Sequence, residues 1–482
     1  MSNVFSVTQQ GTGLYINGEW LESNETMKVY DKFSDEVIGN VAVARQQDID
    51  AAIQAANEAM ANCPLAAHER FEILRRTAEL VKKNADEMAK LIAREGGKPL
   101  KDAITEVNRG VAVILTAAEE AKRIHGETVP LDAVPGSENR MGLYIRVPVG
   151  VIAAVTPFNF PINLVVHKVA PAIAAGCAVV LKPASTTPLS AIYLCKLLEE
   201  AGLPKGYMNL VIGSGRTVGD YLVAHPGKKM ITFTGSPSVG LQIKKNSGFN
   251  RVTLELGNNS GNIVHEDADI DVAADLLAKR AFGSAGQFCV SVQRIYVQEN
   301  VVEHFTQKML EATNRLVVGN PLDEATDVGP MISLKEAERV EEWVREAVQE
   351  GAEVVVGGNR EGAMMYPTIL KNVNPAMKVV CEEVFGPVAS IIPYKTFDEA
   401  IAYVNDSEYG LQAGVFTNNI DLAWKAARTI RTGGVIINDT SAYRADIMPY
   451  GGIDKSGAGR EGPRYAVEEM TEVRMVVFNL QK

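Results

Sequence analysis

The chain has little cysteine, no concentrated positive charge and no long hydrophobic run. Its five cysteines (Cys63, Cys177, Cys195, Cys289 and Cys381) stand at irregular spacing over 482 residues. They make no Cys-x-x-Cys pair and no Cys/His cluster of metal-ligand spacing, which argues against a disulfide framework and against a metal site. Reduced thiols suit a cytoplasmic protein. A net charge of −11 excludes broad contact with a phosphate backbone, which requires a basic face, so no nucleic-acid partner is expected. Apolar stretches are broken by Pro, Gly or Lys well short of the ~20 residues a membrane span needs. The start, Met1 to Gln10, lacks the basic region and apolar run of a secretory signal. Also absent is the usual Gly-x-Gly-x-x-Gly turn of dinucleotide-binding proteins.

What is present points to α/β architecture. The length asks for two or three domains, and 46% hydrophobic residues with 41 glycines suit packed sheets. From about Asp48 to Arg123 apolar residues recur at helical spacing (Ile49, Ala52, Ile53, Ala56, Met60). From Val149 short apolar runs at 149–155, 178–181, 208–212 and 230–233 take over, with helical stretches at 163–174 and 190–201. That alternation predicts a parallel sheet with crossover helices. Strands at 251–256 and 262–264 and a helix at 271–284 follow. A second alternation runs to 438, with helices at 301–316, 334–350, 398–404 and 421–429. Strands lie between them, at 353–356, within 379–392, at 414–417 and at 435–438. The two units join near Gly257. Segments 126–147 and 470–479 fit neither unit. The second reads as a terminal strand, an edge hazard unless paired, and pairing with a second subunit is the expected use.

Two residues stand out chemically. Cys289 ends Gly286-Gln287-Phe288-Cys289 at a helix-to-strand junction, and Glu255 lies in Leu254-Glu255-Leu256-Gly257. A thiol beside small residues is placed to attack a carbonyl, and a carboxylate brought near it is placed to activate water. Taken singly, a cysteine is more often a small buried hydrophobe and a glutamate a solvated charge. Their company decides. Thr156-Pro157-Phe158-Asn159-Phe160-Pro161 holds an amide donor between two prolines, suited to an oxyanion hole. Leu181-Lys182-Pro183-Ala184-Ser185 puts a lysine at the carboxyl edge of a strand, facing the nucleotide crevice. Phe233-Thr234-Gly235-Ser236-Pro237 leads from strand to helix, with Ser236 as N-cap and Pro237 at the first position. The helix N-terminus then offers N–H groups to a pyrophosphate. Gly213-Ser214-Gly215 and Gly219 form a second Gly-rich turn, and Glu382-Glu383-Val384-Phe385-Gly386-Pro387 and Pro449-Tyr450-Gly451-Gly452 follow.

In these motifs and their order the chain resembles the NAD(P)-dependent aldehyde dehydrogenase superfamily, over nearly its whole length. The resemblance implies two Rossmann-like parallel α/β domains and a small β oligomerisation arm. It places a dinucleotide-binding domain at 1–125 and 148–256, a catalytic domain at 257–464, and the arm at 126–147 and 465–482. It implies NAD or NADP as cofactor and a homodimer or homotetramer. Cys289 is then the nucleophile, Asn159 an oxyanion donor beside the Cys289 N–H, and Glu255 the base that hydrolyses the thioester. A depressed thiol pKa is expected. Cofactor contacts would come from Thr156, Pro157, Phe158, Lys182, Ser185, Gly213, Gly215, Gly219, Phe233, Thr234, Gly235, Ser236, Leu256, Gly257, Glu383 and Phe385. Ser185 stands where NAD-specific members often carry Glu, so NADP should be tolerated. Asn258 replaces a common Gly, and asparagine tolerates a left-handed backbone there. Substrate contacts would come from Phe160, Asn163, His167, Phe288 and Arg444. Arg444 with His167 and Asn163 suggests a small aldehyde bearing an anionic group or a hydroxyl. The other reading pairs Arg444 with Asp446 or Glu461, away from substrate. A CoA-acylating relative, a non-phosphorylating glyceraldehyde-3-phosphate dehydrogenase and a retired binding protein are the competing functions. Glu255 argues for hydrolysis, and the intact set of motif residues argues against retirement.

Overall fold

In the computed structural model residues 13–480 are described. The reading of Met1 to Gln10 and the outermost ends of segments 1–125 and 465–482 lie outside the described residues. Short apolar strands covered by helices on both faces pair in parallel. The strands Ile152–Val155, Val179–Lys182, Met208–Leu210, Met230–Thr234 and Arg251–Glu255 do so in the first sheet. Numbered in chain order, they lie 3-2-1-4-5. The order reverses between Ile152–Val155 and Met230–Thr234, and a crevice opens beyond the carboxyl ends at such a switch point. The strands Leu14–Ile16 and Glu19–Leu21 extend one edge as a hairpin. Asn17 and Gly18 form its turn with φ of 52° and 75°, the left-handed pair that a tight hairpin needs.

The second sheet orders Glu353–Val356, Thr368–Lys371, Val388–Tyr394, Val292–Gln298, Ser260–Val264, Gln412–Phe416 and Gly434–Ile437. Periodicity finds five of these and misses Thr368–Lys371 and Val292–Gln298, although all seven residues of the latter are buried. Gln293 and Arg294 break its apolar pattern. Their polar ends are satisfied by backbone carbonyls: the Arg294 guanidinium donates to Asn259, Tyr403 and Val404, and Gln293 donates to Glu382.

The two units are not separate in sequence. After the second sheet the chain returns, and Gly457–Ala458 pairs with the edge strand Arg251–Glu255 of the first. The helix Pro463–Glu469 then packs on the helices Asn163–Ala175 and Leu100–Ala121. This return brings residues 441–461 against the carboxyl end of Arg251–Glu255. The terminal strand Thr471–Asn479 pairs along nine positions with Arg140–Pro148 of its own chain. Its edge is thereby half satisfied, while Val473, Met475, Val477 and Phe478 stay exposed beside Met141 and Ile145. Among the described residues no helix is long and apolar enough to cross a membrane, and no group of His, Cys, Asp or Glu is arranged to hold a metal.

Candidate active site

Cys289 lies between the helix Ile270–Phe282 and the strand Val292–Gln298, as its motif predicts. The helix stops because the next residues turn left-handed: Ser284, Ala285 and Gly286 have φ of 49°, 53° and 67°. A Cβ on Gly286 would collide with the Gly386 carbonyl, so only glycine fits. Gln287 locks the turn. Its side-chain oxygen accepts from the Ile332 N–H at 2.9 Å, and its carbonyl accepts from Asn159 Nδ2 at 3.0 Å. Asn159 therefore stands beside the nucleophile turn, with one amide proton engaged there. Phe160 and Phe288 meet edge-to-face at 6.5 Å and line the same cavity.

That cavity has a volume of about 1070 Å³ and carries Cys289 and Asn159 in its wall. The expected acidic thiol is not there. Burial pushes Cys289 up to about 11, against the opposing pull of a Tyr450 hydrogen bond and the Arg444 charge. Sequence reasoning had no access to this, because the enclosing residues come from remote segments. It also missed Tyr450 as a site residue: its hydroxyl lies 3.0 Å from Cys289 Sγ. The Pro-Tyr-Gly-Gly motif marked the loop but not the contact.

Glu255 is buried with neither carboxylate oxygen hydrogen-bonded. Burial and then the neighbouring Glu461 charge raise its pKa well above the usual carboxylate range, opposed by Arg444, Lys168 and Arg460. Burial raises Glu461 as well, but Lys168, His167 and Arg444 more than offset this and hold it down to about 2. The pKa values of two buried carboxyls are thus driven apart, Glu255 upward and Glu461 downward. Lys168 Nζ reaches Glu461 at 2.8 Å.

Arg444 has contacts that bear on both readings made of it. It pairs with Glu461 at 3.2 Å and approaches Asp446 at 3.6 Å, yet it also lines the cavity. Asp446 is a hub. It takes a bidentate contact from Arg109 at 2.8 Å on each oxygen, and bonds from His167 Nε2 at 2.9 Å and Asn163 Nδ2 at 3.4 Å. Asn163 and His167 share a helix face, as their spacing predicts. Only Asn163 lines the cavity. His167, 1% exposed, is a partner of Asp446 and Arg444 rather than a cavity residue. Burial and the Arg444 charge lower its pKa, opposed by Asp446, so the ring is neutral. The cations Arg109, Arg444 and Lys168 face the carboxylates Asp446 and Glu461, and of these five groups Arg109 and Arg444 line the cavity.

A dinucleotide fits the residues at the switch point. Thr156 and Thr234 end its two central strands, and each has a buried hydroxyl oxygen without a partner. Lys182 Nζ donates to the Pro183 carbonyl at 2.9 Å, and burial without an acidic partner lowers its pKa to about 8. Gly219 lies beside the Lys182 stem, where a Cβ would make an ordinary contact at 3.5 Å. Gly213 precedes Ser214, whose hydroxyl caps the turn Gly215–Gly219 at Thr217 N. Pro237 opens the helix Pro237–Asn246, and Ser236 makes no side-chain cap bond there. Gly235, Ser236, Pro157, Phe158, Leu256, Gly257, Glu383 and Phe385 line the cavity. Phe233 is buried beneath Gly235, and Ser185 is half-buried in the loop after Lys182. Phe158 and Phe385 meet edge-to-face at 6.0 Å. Glu383, raised to about 7 by burial, accepts from the Asn258 N–H at 2.8 Å. Asn258 is not left-handed. It serves through its amides, and its side chain reaches Ser260 at 2.7 Å. A Cβ on Gly257 would strike the Glu383 carboxylate. Gly257→Ala is therefore expected to weaken dinucleotide binding about tenfold or more, measured by fluorescence titration, through the displaced carboxylate.

The switch-point crevice opens beside a cavity that carries Cys289 and Asn159 in its wall, an arrangement that suits a nicotinamide-dependent dehydrogenase of aldehydes. The chain belongs to the aldehyde dehydrogenase family, whose pattern matches residues 20–476. It is 53% identical over 480 residues to a 3-sulfolactaldehyde dehydrogenase of Priestia aryabhattai, with 100% of both chains covered. It is 41% identical over 473 residues to a lactaldehyde dehydrogenase of Methanococcus maripaludis, covering 97% of this chain and 100% of that one. Among solved structures it superposes, with a TM-score of 0.90 and 41% identity, on glyceraldehyde-3-phosphate dehydrogenase GapN of Methanocaldococcus jannaschii complexed with NADP. That match covers 95% of this chain and 100% of the other. The expected fold class and enzyme class hold: this is an aldehyde dehydrogenase that uses NAD or NADP.

Proposed function

We propose that the enzyme oxidises a small 2-hydroxyaldehyde carrying an anionic group to the corresponding acid, and that a sulfonated three-carbon aldehyde suits the site. The observation that carries this is Arg444 in the cavity wall, which also carries Arg109 and Cys289. The names of the relatives agree with a short hydroxylated aldehyde, anionic in the sulfolactaldehyde and glyceraldehyde-3-phosphate cases. Arg444 would meet the anion, and Asn163 the hydroxyl. Phe160 and Phe288 would pack against the short carbon chain.

Cys289 Sγ adds to the aldehyde carbon. Asn159 Nδ2, already aligned by Gln287, and the Cys289 N–H would stabilise the oxyanion. The nicotinamide supplies the hydride acceptor, held by Lys182, Glu383 and the N-terminus of Pro237–Asn246. The resulting thioester on Cys289 is hydrolysed by water that Glu255 deprotonates once ionised. Ser185 carries no charge to repel a 2′-phosphate, so NADP is accepted. We assign dinucleotide binding to 1–125 and 148–256, catalysis to 257–464 and oligomerisation to 126–147 with 465–482. The exposed apolar face of the paired arm supports a homo-oligomer, and five free thiols support a cytoplasmic location.

Arg444→Ala should lower kcat/KM for an anionic aldehyde roughly 10- to 100-fold more than for propanal, the worth of one charged hydrogen bond. Steady-state kinetics on both substrates measure the ratio, and equal losses overturn the anionic reading. A product assay with and without CoA separates hydrolysis from acyl transfer.

A further inference from the structure

Tyr450 touches the nucleophile yet takes no part in the steps above. It is 3% exposed, and Cys289 Sγ, at 3.0 Å, is the partner of its hydroxyl among the described residues. Its backbone is pinned to Glu461 in both directions, N–H to carbonyl at 3.1 Å and carbonyl to N–H at 2.6 Å. The guanidinium carbon of Arg444 lies 3.6 Å from the centre of its ring. That guanidinium is itself fixed by Glu461 at 3.2 Å, with Asp446 at 3.6 Å. The phenol therefore has one place to point, and a cation over its π-face draws electron density from it and strengthens its O–H as a donor.

We propose that Tyr450 is a further catalytic residue, whose hydroxyl donates to Cys289 Sγ and, polarised by Arg444, stabilises the thiolate that attacks the aldehyde. When the thiolate forms, the S–H bond breaks, the proton leaves to cavity water, and the sulfur keeps the electron pair. The phenol keeps its own proton, and nothing is oxidised. Burial raises the Tyr450 phenol well above its ordinary value, which suits a donor and not a base. The gain is real because the thiol starts so high. Each unit by which its pKa falls raises the thiolate fraction about tenfold, while the intrinsic nucleophilicity of the sulfur falls only about threefold.

The test uses the full chain without aldehyde, so its outcome is independent of the substrate reading. Carboxamidomethylation of Cys289 by iodoacetamide is followed across pH by mass spectrometry of the Cys289 peptide. Tyr450→Phe keeps the ring under Arg444 and removes only the donor. Its alkylation midpoint is expected to rise by about one to two units. An unchanged midpoint overturns the proposal. Should Tyr450→Phe lose dinucleotide binding, and with it its fold, 3-fluorotyrosine placed at position 450 keeps the shape and acidifies the donor. The midpoint must then fall, and a midpoint that stays or rises overturns the proposal equally.

Discussion

Cys289→Ser is expected to lower the formation of reduced nicotinamide by about 10⁴-fold or more, followed by absorbance under saturating aldehyde and cofactor. The reason is local. A serine hydroxyl needs a base within hydrogen-bond reach, and the group touching this position is the Tyr450 hydroxyl, itself a donor with a raised pKa. The thiol, by contrast, ionises without such a base, although burial makes that costly at neutral pH. Serine is close to cysteine in size, so the fold should persist and the dinucleotide should still bind. Retention of more than a hundredth of the activity would show that Cys289 is only a small buried side chain.

The second large effect belongs to Glu255. Glu255→Gln should leave the first turnover intact and stall the second. A burst of about one equivalent of reduced nicotinamide is expected, followed by steady turnover slower by about 10²- to 10⁴-fold, the range for loss of a general base. The pH dependence follows from its surroundings. Burial and the Glu461 charge raise the Glu255 pKa. Below that raised value the carboxyl is protonated and cannot take a proton from water. Above it, hydrolysis proceeds. Steady turnover should therefore climb with pH in the wild type as Glu255 ionises, and Glu255→Gln should lose this rise. A variant with no burst, or with the same rising profile, would remove Glu255 from the hydrolytic step.

Much of the frame was legible in the residues. The alternation from Val149 onward located the first parallel sheet, because its strands are uniformly apolar and its crossovers helical. The motif around Cys289 gave the junction at which the thiol stands. The strand Val292–Gln298 was not legible, because its buried Gln293 and Arg294 are paid for by carbonyls of distant loops. The terminal strand was legible as a strand but not in its partner, since register along Arg140–Pro148 depends on segments more than 300 residues away in sequence.

Read alone, the amino-acid order determined the chemistry available: a thiol, an amide between prolines, a carboxyl before a glycine and a strand-to-helix turn for a pyrophosphate, each a local pattern of a few residues. Only the tertiary structure decided their states. Burial pushes the thiol pKa up, Glu255 is raised while Glu461 is lowered, and Arg444 both pairs with acids and faces the cavity. Lys168 and Glu461 are 293 residues apart in the chain and in contact in the fold. Charge and desolvation act through space, and no spacing along the sequence encodes which remote side chains will surround a group.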